Sequence, residues 1–368
     1  MALLFLEHFG EIEDCRVRGM VTYPLDEILF STLSGLLSGA EDWEDIVTLG
    51  EAHLDWLKGY LPFLHGIASA DTYQKVFRSL DGDALASRFI SWVASLAGRV
   101  EGVVAIDGKT SRGSKQDASG SGALHMLSAF AHASGLVIGQ KATYGKGHEI
   151  TAIPELLKLL ALEGTVVTID AIGAQRTIAE AILAKRADYV IALKGNQGSL
   201  HEDVALFCNE ASAQVTWHAA SSTDGDHGRI EERSCVASSD IVWLQEHYDW
   251  PGLQSIAQVT SKRTDKKTGI TTSESRLFIS SLPADAERLL TITRAHWSIE
   301  NTLHWSLDVT FADDANRTRK DHASANLATL RHAAFNLLKR SKRKGSLKTK
   351  RLKAALHNDY RAELINSS

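Results

Sequence analysis

The sequence predicts an α/β protein with a mixed sheet, an all-α region before that sheet and a β-rich stretch after it. Two short apolar runs, VVAI at 103–106 and VVTI at 166–169, have the β-branched composition of buried strands. Each run is followed by an aspartate, Asp107 in the first and Asp170 in the second. Helix-like segments separate the strand-like ones, which is typical of an α/β domain.

Residues 1–98 are expected to form an all-α domain of about four helices. The segments 25–37 and 42–61 are rich in apolar residues, with mixed three- and four-residue spacing in the second, and SADT at 69–72 opens another periodic run. No clear helix-turn-helix signature is present, so periodicity alone gives this domain no function.

Residues 99–198 are expected to form the first part of the central domain. The predicted order is a strand, a β-hairpin, a helix, a strand, a helix and a strand. These elements cover 102–109, 125–133, 135–142, 149–162, 165–170, 175–186 and 188–194. The segment 111–122 is rich in Ser, Gly and Lys and is expected to be a loop.

The rest of the chain divides into a β-rich stretch at 199–283, helices at 284–338 and a basic tail at 339–368. Between 339 and 353 there are nine basic residues and no acidic one, so the remainder of this chain of net charge −5 carries −14. Such a block is consistent with a polyanion contact or with a solvated, partly disordered tail.

Composition excludes several classes of protein. The three cysteines are far apart, which argues against a disulfide framework or a zinc–thiolate site. No apolar run reaches 18 residues, and the first residues lack a basic segment, so neither a membrane span nor a secretory signal is expected. The glycine motifs of P-loops, dinucleotide folds and α/β-hydrolases are also missing. We therefore expect a cytoplasmic protein.

Asp107 and Asp170 are the first candidates for chemistry. Ligands bind at the carboxyl ends of strands in open α/β sheets, and both aspartates are expected there. Carboxylate oxygens suit Mg²⁺, and two such ions can clamp the attacking and leaving oxygens of a phosphoryl displacement. Aspartates also follow strands simply because they favour turns, so the pair alone leaves both interpretations open.

Glu300 is the third acidic candidate, within RAHWSIENTLHW. It is expected in the middle of a helix between two tryptophans, although an ordinary exposed glutamate fits the same pattern. His296, Glu300 and His304 are spaced i, i+4, i+8 on one helix face, which also suggests a line of zinc ligands. That line is not the HExxH pattern.

Basic residues offer candidates for phosphate contact. Arg229, Glu231 and Arg233 alternate and therefore share one face of a predicted strand, where they could track phosphates or form a cross-strand ion-pair ladder. By strand order, positive charge is also expected around the acidic residues, from Lys109, Arg112 and Lys194 among others.

Six motifs together resemble the DDE-class transposases of bacterial insertion sequences, in the branch that includes the H-repeat-associated proteins. They are AIDGKTSRGS at 105–114, HMLSAF at 125–130, TIDAIGAQ at 168–175, DYVIALKGNQ at 188–197, DHGRIEERS at 226–234 and HWSIENTLHWSLDVTFADDANRTRK at 296–320. The combined set is specific, whereas any single motif is not.

This resemblance implies an RNase H-like catalytic domain whose acidic residues are Asp107, Asp170 and Glu300. It implies two Mg²⁺ ions, for which Mn²⁺ can substitute, and a β-rich insertion that separates the second aspartate from the glutamate. The expected partners are the terminal inverted repeats of the element and target DNA, bound by a homodimer at the nucleoid. Residues expected to contact DNA are Lys109, Arg112, Lys194, Arg229, Arg233, Arg317 and Arg319.

The chain departs from related transposases around the glutamate. Tyrosine, arginine and lysine often stand there, but this sequence has Thr293, His296 and Leu307 at those positions. The auxiliary residues are instead expected to be His296, Asn301, His304 and Asp308.

The function expected from the sequence is metal-dependent cleavage at insertion-sequence ends, followed by attack of the freed 3′-hydroxyl on target DNA. Three alternatives stay open. They are a catalytically inactive, transposase-derived DNA-binding protein, a zinc hydrolase that uses the histidine line, and a nuclease that does not join strands.

Overall fold

The computed structural model describes residues 3–115, 122–145, 147–209, 214–226 and 228–366. Within these ranges the protein is mixed α/β, as the sequence predicts, and its nine strands belong to one sheet. Residues 116–121 of the predicted 111–122 loop lie outside the described ranges. None of the described helices combines the length and the apolarity that crossing a bilayer requires.

The amino-terminal region is helical, as its periodicity predicts. The side chains of Asp42, Ser69 and Asp81 accept backbone N–H groups at the starts of three helices, which supplies partners for otherwise unpaired donors. The helices of this region are α1 (Leu4–Phe9), α2 (Leu25–Leu37), α3 (Trp43–Ala52), α4 (Leu54–Leu57), α5 (Ala70–Ser79) and α6 (Gly82–Ala97).

Five strands form the centre of the sheet, in the spatial order β3-β2-β1-β4-β5. They are β1 (Val103–Thr110), β2 (Leu124–Ala131), β3 (Leu136–Tyr144), β4 (Val166–Ile169) and β5 (Asp188–Leu193). The first three are antiparallel, whereas β1, β4 and β5 are parallel to one another. The helices α7 (Glu149–Leu159) and α8 (Arg176–Ala184) connect the parallel strands, as βαβ crossovers require.

The β-rich stretch extends the same sheet. After α9 (Gly198–Asn209) come β6 (His218–Asp226), β7 (Arg229–Ser238), α10 (Val242–Tyr248), β8 (Ser255–Asp265) and β9 (Thr271–Ser280). β9 pairs antiparallel with β5, and β8, β7 and β6 follow outward. This pairing satisfies the backbone groups of β5 that would otherwise form an exposed edge.

The chain then returns across the sheet as α11 (Ala286–His296), a π-helical turn (Ile299–His304), α12 (Trp305–Val309) and α13 (Ala323–Arg340). α13 lies between the helical region and the sheet, and most of its residues are buried. Asn326 donates to the carbonyls of Phe77 and Leu80, and Asn336 exchanges two hydrogen bonds with the backbone of Val137 on β3. α13 therefore fastens the two parts of the molecule together.

Residues 339–366 are folded and do not form a solvated tail. They include α14 (Leu347–Leu356) and α15 (Asn358–Asn366), which pack on the helical region. The buried guanidinium of Arg351 donates to the carbonyls of Leu36, Ala40 and Thr310. The first two carbonyls lie at the end of α2, where helix carbonyls lack partners and positive charge is favourable. Part of the basic block thus serves internal packing.

We expect Arg351→Ala to lower the free energy of unfolding by roughly 2–4 kcal/mol, because three buried carbonyls lose a charged donor. Lys348→Ala is the matched control, since Lys348 is exposed on the same helix, and it should change stability by less than about 0.5 kcal/mol. Urea unfolding followed by circular dichroism measures both variants. Equal midpoints for the two variants would contradict the docking role of Arg351.

Candidate active site

Two aspartates lie side by side on neighbouring parallel strands. The register pairs Ile106 of β1 with Ile169 of β4, so Asp107 and Asp170 occupy the next position of each chain. Adjacent strands are about 4.8 Å apart, which brings both side chains to one edge. β4 ends one residue before its aspartate, close to the predicted range 165–170, and β1 continues to Thr110, close to the predicted range 102–109, because β2 still pairs with it. The expectation that Asp107 lies at the carboxyl end of its strand is therefore wrong, since it lies within β1.

Glu300 reaches the same edge from the π-helical turn, which packs against β1. It lines one cavity together with Asp170, Lys194 and His296. π-helical turns are rare and frequently occur at functional sites. Asp107, Asp170 and Glu300, called the acidic triad below, therefore come from three separate parts of the chain.

The electrostatics of the acidic triad are those of crowded, partly buried carboxylates. Burial raises the pKa of Asp107 to about 7, and the nearby negative charges of Asp170, Glu300 and Glu149 act in the same direction. Burial also raises the pKa of Asp170 and that of Glu300. Without a cation the acidic triad therefore resists full ionisation.

A fourth carboxylate, that of Glu149 at the start of α7, lies near the acidic triad and was not predicted from the sequence. It contacts Nε2 of the buried His125, whose Nδ1 lies 2.8 Å from Oγ1 of Thr110. Its charge raises the pKa of both Asp107 and Asp170. His125 lies within the HMLSAF motif, but nothing in the sequence indicates that Glu149 would pair with it.

Gly108 allows this arrangement. A Cβ at Gly108 would lie 2.1 Å from Nε2 of His125 and 2.9 Å from Oε1 of Glu149. The glycine that follows the catalytic candidate Asp107 is thus explained by the close approach of the His125–Glu149 pair over β1.

Two of the expected auxiliary residues are uncharged histidines. Burial lowers the pKa of His296 to about 4 and that of His304 to about 3. His296 contacts Oγ1 of Thr168 through Nδ1 at 3.0 Å, and Nδ1 of His304 lies 3.7 Å from Oδ2 of Asp107. His304 therefore lies beside the acidic triad, whereas His296 is directed to β4.

The predicted zinc line does not form a compact set of ligands. By a compact set we mean three acidic, histidine or cysteine side chains whose ligand atoms all lie within 4.8 Å of one another. In the described part of the chain, one group meets this condition, and it consists of Asp308, Asp313 and Asp314. His296, Glu300 and His304 are spaced more widely, and so are the carboxylates of the acidic triad.

A lysine ammonium neutralises that compact acidic group. Nζ of Lys109 lies 2.7 Å from Asp308 and 3.3 Å from both Asp313 and Asp314. Asp313 also accepts from Arg331 at 2.7 Å and from Ser111 at 2.6 Å. Burial alone would raise the pKa of Asp313, but the charges of Arg331 and Lys109 hold it below its usual value. We call these residues, with Asp308 and Asp314, the lysine network.

The lysine network changes the expected role of two residues. Lys109 was a candidate for DNA contact, but its side chain is only 9% exposed and would have to leave three carboxylates to meet a phosphate. Asp308, expected as an auxiliary residue, holds Lys109 and not another site residue. Asn301 is exposed and lines the groove next to Glu300.

The other candidates for DNA contact have different surroundings. Lys194 is exposed beside Asp170, and its charge opposes the rise in the pKa of that aspartate. Arg112 is 85% exposed and lies 3.4 Å from Asp314. Arg319 donates to the carbonyl of Gly113 at 2.9 Å. A contact of these side chains with DNA stays a prediction.

Arg229, Arg233 and Arg317 lie further from the acidic triad. Arg233 pairs with Asp224 and Glu231, as the ion-pair ladder predicts, whereas Arg229 is exposed on the same strand. Arg317 lines a separate pocket beside the helical region. Their contact with DNA also stays a prediction.

The acidic triad has the donor chemistry that a hard divalent cation requires. All three side chains offer carboxylate oxygens, and none of the lysines that the structure describes forms an ion pair with them as Lys109 does with its own acidic group. Their raised pKa values reflect burial and repulsion that a bound cation would offset. The residues present therefore fit Mg²⁺ or Mn²⁺.

Comparisons with known proteins give consistent results. A family model described as "Transposase DDE domain" matches residues 98–337, and a model described as "DDE_Tnp_1-associated" matches residues 6–93. The chain is 39% identical to "Putative transposase YncI" of Escherichia coli O157:H7, over 98% of this chain and 94% of that protein. It is 36% identical to "H repeat-associated putative transposase YhhI" of Escherichia coli K12, over 99% and 98%.

Among solved structures, one similar chain is that of the piggyBac transposase in a synaptic complex with hairpin DNA. The match has a TM-score of 0.46 and 12% identity, and covers 97% of this chain and 76% of the other.

We expect the carboxyl of Asp107 to contribute less to the stability of the metal-free protein as pH rises from about 4 to about 7. Over this interval Asp107 keeps its proton in the folded protein but loses it in the unfolded chain, which favours unfolding. The lowered pKa values of His296 and His304 act in the opposite direction, so the contribution of Asp107 is measured as a difference between wild type and a variant. Asp107→Asn removes this pH-dependent contribution to the free energy of unfolding. Thermal unfolding should therefore show the variant gaining stability relative to wild type between pH 5 and pH 8, by roughly 3 kcal/mol at ~1.4 kcal/mol per pKa unit. A difference that is constant with pH would contradict the raised pKa.

We expect Gly108→Ala to displace the His125–Glu149 pair and to lower the unfolding temperature by several degrees, since overpacking costs roughly 1–3 kcal/mol. Gly195→Ala is the control, because a Cβ at Gly195 meets nothing within 4 Å. The ring resonances of His125 in NMR spectra should shift in the first variant alone. Unshifted resonances and wild-type stability in Gly108→Ala would refute the close approach.

Proposed function

The chain belongs to the family of DDE transposases, and from that premise we propose that it cleaves DNA at the ends of an insertion sequence and transfers the freed strands into target DNA. The observation that carries the proposal is the acidic triad. Three carboxylates distant in sequence reach one edge of the sheet, with pKa values raised by burial and by one another.

The proposed cofactor is a pair of Mg²⁺ ions, or Mn²⁺ in their place. Bound by Asp107, Asp170 and Glu300, these ions would activate water and stabilise the leaving oxygen of a phosphodiester.

The protein's own residues would prepare the site for this chemistry. The neighbouring register of β1 and β4 sets the two aspartates together, and the lysine network holds the segment after Glu300 against β1. His304, uncharged beside Asp107, leaves the aspartate's negative charge available to a cation. The reaction needs no covalent enzyme intermediate, so a serine or tyrosine nucleophile is not required.

We also assign the central sheet to an RNase H-like core. Three antiparallel strands continue into two parallel ones, with helices crossing between them, and β6–β9 form the insertion at the far edge. In this assignment the protein acts at the nucleoid as a homodimer that pairs the two terminal repeats with target DNA.

We expect Asp107→Asn to abolish cleavage, a loss of more than about 10²-fold, and to leave DNA binding intact. The substrate is a plasmid that carries the sequences flanking the gene, incubated with Mg²⁺ or Mn²⁺. Glu180→Gln, an exposed acid on α8, is the control and should cleave as wild type does. Binding of the same flanking DNA is measured by fluorescence anisotropy.

The outcomes separate the alternatives. Cleavage without joined products identifies a nuclease that lacks strand transfer. Binding without cleavage by wild type identifies an inactive, transposase-derived protein. Metal-dependent cleavage retained by Asp107→Asn would reject the acidic triad as the catalytic site.

A further inference from the structure

Arg276 stands at the border between the acidic triad and a large surface groove. It lies on β9, opposite Val259 of β8, and lines both the cavity that contains Asp170 and Glu300 and the groove beside it. The sequence alone gives no sign of a role for Arg276, because it lies outside the six motifs and 24 positions before Glu300.

The groove runs between the outer sheet and the end of α11. One wall is the face of β7, β8 and β9, and the other wall includes Trp297 and the π-helical turn. Towards β5 this sheet face is apolar and packs under α11, but outward it becomes strongly charged. Five arginines line the groove, namely Arg229, Arg233, Arg263, Arg276 and Arg294.

Three of these arginines are engaged with acids of the outer strands. Arg233 and Arg294 both contact Asp224, at 3.1 and 2.6 Å. Arg263 lies 3.5 Å from Glu231. Their positive charge is therefore partly neutralised at a distance from the acidic triad.

Arg276 differs from these three arginines because its guanidinium also stacks on an aromatic ring. Its guanidinium carbon lies 4.4 Å from the centre of the Trp297 ring, and its Nε donates to Glu274 at 2.8 Å. These two contacts fix the plane of the guanidinium. Among the described residues its terminal nitrogens have no hydrogen-bond acceptor, and the side chain is 33% exposed. Two parallel donors are thus oriented and available to a ligand.

The charge of Arg276 acts directly on the acidic site. Arg276 lines the same cavity as Glu300 and Asp170, and its charge lowers the pKa of both carboxyls against the effect of burial. A planar pair of N–H donors matches the two non-bridging oxygens of a phosphodiester. The groove supplies further positive charge along one direction from this point.

We propose that Arg276 binds the non-bridging oxygens of the DNA phosphate that reacts at the acidic triad, and that the arginine-lined groove takes the strand leading to that phosphate. This inference rests on the proposed function. It gives the β-rich insertion a part in the reaction, since β9 delivers the guanidinium and the carboxylates come from the central sheet and the π-helical turn.

The test compares Arg276→Gln, Arg276→Lys and the control Lys262→Gln, which removes an exposed positive charge of β8 that lies outside the groove lining. Single-turnover cleavage of the flanking DNA at saturating protein is measured with Mg²⁺. We expect Arg276→Gln to reduce the rate constant about 10²–10³-fold. Arg276→Lys should recover only part of it, because an ammonium lacks the two parallel donors, and Lys262→Gln should stay within about threefold of wild type.

Salt-dependent DNA binding gives a second readout that needs no cleavage. Each lost phosphate contact lowers the slope of log K against log[salt] by about 1, so Arg276→Gln and the groove variant Arg263→Gln should both show this decrease, whereas Lys262→Gln should not. Thermal unfolding within a few degrees of wild type establishes that the variants are folded, and Arg276→Met, which keeps an apolar stem on Trp297, replaces any variant that is not.

Wild-type rate constants in Arg276→Gln, or equal losses in Arg276→Gln and Lys262→Gln, would overturn the assignment of Arg276 to the reacting phosphate. An unchanged salt slope in Arg276→Gln would overturn any phosphate contact. If wild type itself does not cleave, the proposed function fails and the reacting-phosphate assignment fails with it, whereas the salt slope still decides whether Arg276 contacts DNA.

Discussion

The buried ion pairs between Lys109, Asp313 and Arg331 are the constraint on which the site depends. Lys109 comes two residues after Asp107 on β1, Asp313 comes 13 residues after Glu300, and Arg331 lies in the middle of α13. Removing such charges from water costs several kcal/mol per ion, so they are tolerated only when each finds partners. Asp313 finds Lys109, Arg331 and Ser111. The lysine network therefore fixes the segment carrying Glu300 against the strand carrying Asp107.

The lysine network and the acidic triad both bring several carboxylates together, but the repulsion between their negative charges is compensated in only one of them. In the lysine network, a buried ammonium neutralises Asp308, Asp313 and Asp314, and the pKa of Asp313 stays low. In the acidic triad no ammonium from the described ranges pairs with the carboxylates, and their pKa values are raised. The first arrangement is complete without a ligand and serves structure. The second is relieved when a cation arrives, which is the property expected of a metal-dependent site.

The sequence predicts the parts of this site that depend on local pattern. Asp107 and Asp170 follow apolar β-branched runs, and their adjacency follows from the parallel pairing of those runs. Glu300, 130 positions beyond Asp170, was placed by resemblance to a family, because no local pattern specifies which distant helix meets a strand. The roles of Lys109 and Glu149 were not predicted for the same reason. Their partners lie on elements brought near by tertiary packing, and a basic residue in a sequence carries no sign of whether its charge will be internal or exposed. The folding of residues 339–366 was not predicted for the same reason, since Arg351 is buried against the carbonyls of Leu36 and Ala40, more than 300 positions away.

The most direct measurement of the central claim is amide hydrogen exchange in Asp313→Asn, with Asp314→Asn as the comparison because Asp314 is partly exposed. Loss of the charge at Asp313 leaves Lys109 and Arg331 underpaired, whereas loss at Asp314 leaves them with Asp313. The account predicts faster exchange in residues 299–309 of Asp313→Asn, with β4 and β5 unchanged and Asp314→Asn close to wild type. Exchange in residues 299–309 that equals wild type in both variants would contradict it.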